Sequence, residues 1–295
     1  SCLWATITRQ DVVSELTALQ SELRSPKIKH LTEIDAVVRR LKREQSGDTR
    51  MDLFYRRLSM PIRVLGVTDA SAASKKSNHA TEGKIVGICE DNVPVVNVDK
   101  TDYMTSDSEI ELLGHNLHMV IGTGNISKRI SHSTSHAETL SCAALIPMGQ
   151  LVSMRVAEPE LTIRYGRLTP MKLLTIQDDG LCPVMYDHMV DCMDLWDLAC
   201  GRKGVPQDKS QRLAVLAIRE ERRMQRIRRF MHITTKYMLA DILTKWLGHD
   251  SVTLLQLLSC GRWTCKGPIR VRHGFGTFTP DSAPYAPYPD TLKGC

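Results

Sequence analysis

Nine cysteines occur, at positions 2, 89, 142, 182, 192, 200, 260, 265 and 295, yet no two of them form a CxxC pair. That excludes a paired-thiolate zinc site, and Cys260 with Cys265 supplies too few ligands for one. Scattered and odd in number, they read as small buried hydrophobes of a reducing compartment, so an intracellular protein, cytoplasmic or nuclear, is expected. No run of about 18 apolar residues is present, and a membrane span is not expected. The opening SCLWATITRQD lacks the basic and apolar regions of a secretory leader. Aromatic residues make up 5%, with four Phe and four Trp, too few to suggest a stacking platform for single-stranded nucleic acid. No glycine-rich phosphate loop opens a helix, since GTGN at 122–125 is too short a signal, and no small-molecule cofactor is expected.

What is present suits a globular protein of one large or two small domains: 295 residues, 42% hydrophobic and 24% charged. The net charge of +6 is unevenly spread, and residues 201–230 hold ten Lys/Arg against three Asp/Glu. Within that stretch RRMQRIRRF makes Arg222, Arg223 and Arg226 candidate phosphate contacts, the alternative being a solvated helix face.

Periodicity predicts two amphipathic helices at 11–24 and 29–46, then apolar strands at 62–69, 83–91 and 117–123. An acidic stretch, 91–113, reads as an inserted loop. A helix over 134–157 follows, with Pro147 inside it expected to kink it at a cost of about 3 kcal/mol. Beyond it come a strand at 183–190, a short helix stopping at Gly201, a helix at 208–223, a strand at 226–233 and a helix at 236–247. This order predicts an α/β fold, a mixed five-stranded sheet flanked by helices and preceded by a small helical segment. The divisions expected are a helical segment at 1–50, the sheet domain at 60–248 and a mostly irregular tail at 249–295.

Four acidic residues stand in four differently built segments. Asp69 ends an apolar run, Glu138 opens a helix, Asp191 follows another apolar run and Asp241 lies in a short amphipathic stretch. Two divalent cations about 3.5–4 Å apart need several carboxylates, and distant segments must bring them together. Each residue alone has a plainer reading: a strand-end turn, a charge favoured in a first helical turn, an N-cap, an exposed helix position. Asp187, Asp194 and Asp197 compete with Asp191 for its role. His132 and His136 stand four apart, but no HExxH order accompanies them, which argues against a zinc hydrolase. His232 is left without a role.

The motifs LADILTK at 239–245, SKRISHSTSHAET at 127–139, GQLVSMRVAE at 149–158, VTDAS at 67–71 with Gly83 downstream, and VDCMDLWD at 190–197 occur in one order. Together they resemble the RNase H domain of copia-type retrotransposon Pol polyproteins, over roughly residues 5–265. Upstream, LQSELRSPKIKHLTEIDAVVRRLK at 19–42 resembles the end of the reverse transcriptase thumb and its connection. A start without Met fits a segment of such a polyprotein. The resemblance implies an RNase H-like fold and hydrolysis of the RNA strand of RNA–DNA hybrids with two Mg²⁺ or Mn²⁺ ions. Asp69 would bridge both ions, Glu138 and Asp191 would each hold one side, and Asp241 would complete the set. Ser71, Asn125, Ser127, Lys128 and Arg129 would touch the nucleic-acid backbone. The remainder of the Pol polyprotein is the implied protein partner. The alternative is an inactive retroelement remnant that at most binds nucleic acid.

Overall fold

Strand β1 (Ile62–Ser71) is apolar along both faces because it has neighbours on both edges and cover on both sides. In the computed structural model, which describes residues 9–22, 25–46, 54–71, 79–93, 107–245 and 252–273, β1 pairs antiparallel with β2 (His79–Glu90) and parallel with β4 (Met185–Val190). Strand β2 pairs antiparallel with the second half of β3 (Asp107–Ile130), and β4 pairs parallel with β5 (Arg229–His232). The result is the expected mixed sheet, in the order β3-β2-β1-β4-β5, flanked by helices.

Strand β6 (Arg262–His273) changes the expected outline. It runs antiparallel to β5 and to the first half of β3, and so closes six strands into a ring. Residues 249–295 are therefore not mostly irregular within the described part: a helix at Val252–Cys260 precedes β6. The cause is visible in the side chains. Leu254, Leu257 and Leu258 of that helix are buried, and Trp263, Cys265, Ile269 and Val271 alternate inward along β6. Gly267 and Pro268 interrupt the alternation at a bulge, where the β3–β6 register shifts between Ile110 and Leu112. Likewise 107–113, expected in an inserted loop, belongs to β3, while 94–106 lies outside the described residues.

The helices follow the same logic. Helices α1 (Val13–Ser21) and α2 (Ile28–Ser46) form the expected N-terminal pair, joined through Val12, Leu16 and Val37. They are not separate from the sheet. Val13 shares a core with Val67 and Leu243, and Thr17 Oγ1 donates to the Gly124 carbonyl at 2.6 Å. Helix α3 (Thr134–Tyr165) begins at Ser133, whose Oγ accepts from the His136 N–H at 3.1 Å. It continues through Pro147 and Pro159 and is longer than predicted. Pro147 lies on the exposed side of the helix. By length and composition α3 could cross a membrane, but 56% of its most apolar window is buried inside the protein. Helix α4 (Pro170–Asp178) was not expected. Helices α5 (Met193–Ala199) and α6 (Lys209–Arg223) fall where predicted. The helix expected at 236–247 is reduced to a 3-10 turn at Thr235–Tyr237 and α7 (Asp241–Thr244); residues 246–247 lie outside the described part.

Near the start of β1 and β4 sits a buried charge cluster. Arg63 Nη1 donates to Asp187 Oδ2, and Arg229 Nε donates to the same oxygen at 2.9 Å. Burial by itself would raise the Asp187 carboxyl, but Arg229 and Arg63 overcome it and hold it at about 2. Removing the carboxylate would leave two buried guanidinium groups to share Asp91 as their remaining acidic partner. Asp187→Ala is expected to destabilise the protein by about 3–5 kcal/mol in urea denaturation, and a loss of under about 1 kcal/mol would show that the cluster is not structural.

Candidate metal centre

Strands β1 and β4 are parallel, so their C-terminal ends emerge on the same side of the sheet. Asp69 lies near the end of β1 and Asp191 directly after β4. Glu138 comes from the start of α3, which lies across the sheet there. Its Oε1 accepts from the Ala70 N–H at 2.9 Å, tying the helix start to the strand end. One oxygen from each of Asp69, Glu138 and Asp191 falls within 4.8 Å of the others.

Two glycines bring the fourth segment close. Gly83 is paired with Asp69, and Gly124 with Gly83. A Cβ on Gly83 would stand 2.7 Å from the Ala240 carbonyl oxygen, and one on Gly124 would stand 2.7 Å from that of Leu243. Backbone cannot yield as a flexible side chain can, so only glycine lets 240–244 rest on the strands. Thr244 Oγ1 then donates to Asp69 Oδ2, and Ser71 Oγ donates to the Thr244 carbonyl at 3.3 Å. Asp241 arrives beside the centre without joining the three converging oxygens. Its Oδ1 forms an ion pair with Lys245 Nζ at 2.6 Å but, like Glu138 Oε2, has no hydrogen-bond partner.

The electrostatics are those of crowded, dry carboxylates. Burial, then Asp191, pushes Asp69 up to about 6. Burial, then Asp69, pushes Glu138 up to about 10. Burial also raises Asp191. Burial opposes the charge of Lys245, but Asp241, Asp69 and Asp191 keep its pKa above the ordinary lysine value. Glu138 Oε2 is buried and has no hydrogen-bond partner. Hard oxygen donors, excess negative charge and one partnerless oxygen are what Mg²⁺ or Mn²⁺ would complete.

The competitors of Asp191 are engaged elsewhere: Asp187 with Arg63 and Arg229, Asp194 with Ser135 and Lys203, Asp197 with Lys203. His136 Nδ1 accepts from the His132 N–H at 3.4 Å, and its Nε2 lies 3.7 Å from Asp208. His232 Nε2 donates to the Asp191 carbonyl at 3.0 Å, a contact with no signature in the sequence. Thr244 and Lys245 were also missed, although both stand inside LADILTK.

Asn125, Ser127 and Arg129 line a groove of about 940 Å³ between β2, β3, α3 and α6, together with Glu82 and Lys84. Lys128 falls outside the described side chains. The expected stripe of Arg222, Arg223 and Arg226 does not form a free ladder. Arg222 is buried, its Nη1 donating to the Ala199 carbonyl at 2.7 Å. Arg223 pairs with Glu220 at 2.6 Å and Arg226 with Glu221 at 2.8 Å. Glu221 also accepts from Gln150, twelve residues along α3 from Glu138. At 1.5 Å per residue that end of α6 is about 18 Å from the acidic edge.

No protein-family description matches the chain, and no curated protein matches it. It is similar to two solved structures, RNase H1 from the halophilic archaeon Halobacterium salinarum NRC-1 and LC11-RNase H1 isolated from compost by a metagenomic approach. The first is 14% identical over 54% of this chain and 75% of that one, with a TM-score of 0.26. The second is 14% identical over 61% of this chain and 91% of that one, with a TM-score of 0.32. At those scores the likeness carries nothing beyond the observation itself.

Raised carboxyl pKa values stabilise a fold below the unfolded value and cease to do so as pH rises through the folded one. The cation-free protein should therefore lose thermal stability from about pH 5 to about pH 8, as Asp69 and part of the Glu138 titration are crossed. Mg²⁺ should raise Tm more at the upper pH than at the lower. Equal Mg²⁺ effects at both, read by calorimetry against EDTA, would contradict the assignment.

Proposed function

We propose that this chain hydrolyses the RNA strand of RNA–DNA hybrids with divalent cations, as the RNase H segment of a copia-type retrotransposon Pol polyprotein acting inside the cell. The observation that carries the reading is the convergence of Asp69, Glu138 and Asp191 on one sheet edge, with a buried Glu138 oxygen left partnerless. Divalent ions bound there would favour deprotonation of an attacking water and stabilise a leaving 3′ oxygen. The chain's own contribution is placement. The Ala70 N–H holds one Glu138 oxygen and leaves the other toward the centre. Thr244 fixes one Asp69 oxygen, and His232 secures the backbone of Asp191.

The groove between β2, β3, α3 and α6 offers amide, hydroxyl and guanidinium groups from Asn125, Ser127 and Arg129. Those suit phosphates and 2′-hydroxyls, by which A-form-like duplexes are distinguished from DNA. An inactive remnant is the weaker reading, because α3 runs unbroken through Pro147 and still delivers Glu138 to Asp69.

An end-labelled RNA–DNA hybrid should be cleaved with Mg²⁺ or Mn²⁺, and an RNA–RNA duplex should not. Asp69→Asn should abolish cleavage while leaving the circular dichroism spectrum unchanged. A folded wild-type protein that leaves the hybrid intact would overturn the proposal, and full activity in Asp69→Asn would overturn its site.

A further inference from the structure

Lys245 is the cation nearest Asp241, and the pair is clamped twice. Its Nζ lies 2.6 Å from Asp241 Oδ1, and its backbone N–H donates to the Asp241 carbonyl at 3.0 Å. Asp241 is correspondingly absent from the three carboxylates whose oxygens converge. Thr244, hydrogen-bonded to Asp69, fixes the segment that carries both residues.

Resting on the metal-centre reading above, we propose that Lys245 is a built-in counter-ion of that centre. In the free protein it holds Asp241, so a single divalent ion binds through Asp69, Glu138 and Asp191. A second ion enters through Asp241 only when Lys245 withdraws. The charge balance requires this. Once a bound ion has ionised all four carboxylates, these and one ammonium carry three negative charges, which that divalent ion reduces to one. A second ion with Lys245 in place would turn a buried centre positive. Lysine is suited to leaving, since it is a point charge on a flexible stem and is here partly exposed, at 29% of its side chain. A phosphate of the substrate is a natural destination for it, which would couple entry of the second ion to nucleic-acid binding.

The test is Mn²⁺ titration of the full chain without nucleic acid, read by calorimetry and by electron paramagnetic resonance. Wild type should bind one Mn²⁺, and Asp69→Asn should lose it. Lys245→Met should gain a second ion, or tighten a weak second site by about tenfold or more. Lys245→Arg should behave as wild type, and Lys245→Gln serves if methionine disturbs folding. Two equivalent ions in wild type would overturn the counter-ion role while leaving the metal centre intact, as would unchanged binding in both neutral variants. No Mn²⁺ bound by wild type, or binding unaffected by Asp69→Asn, would overturn the metal centre and this inference with it.

Discussion

The close approach of backbone 240–244 to the row Asp69, Gly83 and Gly124 is the contact on which the rest of the centre depends. Three strands present in-register positions, and two of them carry no Cβ. That absence brings the Ala240 and Leu243 carbonyls down onto the sheet. From there Thr244 reaches Asp69, and Lys245 is carried to Asp241. The same Gly124 takes Val13 of α1, so the N-terminal helix and the LADILTK segment meet over one residue. A side chain at either glycine would have to displace main chain, and with it the geometry of the carboxylates.

Much of this was legible. The apolar runs around β1, β2, β4 and β5 follow from two-sided burial, and the acids at the ends of β1 and β4 needed only parallel strands to meet. Gly83 was visible as a residue but not as a seat, because the segment lying on it is remote in sequence. Strand β6 was missed because Gly267 and Pro268 break its alternation at a bulge. A charge count does not show that Glu220 and Glu221 pair with Arg223 and Arg226, nor that Arg222 turns inward. Asp241 was expected among the ligands because the motif places it near them. Only the four-residue spacing to Lys245 hints at its ion pair, and that spacing is equally common on exposed helix surfaces.

The strands β1 and β4 carry two buried charge groups four to six residues apart, or about 13–20 Å at the rise of a strand. At one, Arg63 and Arg229 meet Asp187 and its carboxyl is driven down to about 2. At the other, Asp69, Glu138 and Asp191 meet one another, and Asp69 is driven up to about 6. Burial acts on both in the same sense, so the difference lies in the partners. Both groups keep one buried partnerless oxygen, Asp187 Oδ1 in the first and Glu138 Oε2 in the second. The first is answered by opposite charge and reads as architecture, whereas the second gathers like charges, which marks it as a place for a cation.

Ring closure sharpens that contrast. Strand β6 covers the outer edge of β5 and the first half of β3, while the second half of β3 pairs with β2 alone. On the proposed function, recognition at the centre would proceed through side chains at the strand ends. The groups gathered there are carboxylates, hydroxyls, an amide and an exposed guanidinium. A cation bridging the carboxylates to a phosphate would satisfy both the buried negative charge and an incoming polyanion. Without it the two repel. On the proposed function, metal dependence of binding, as well as of cleavage, would follow from where the charges have been placed.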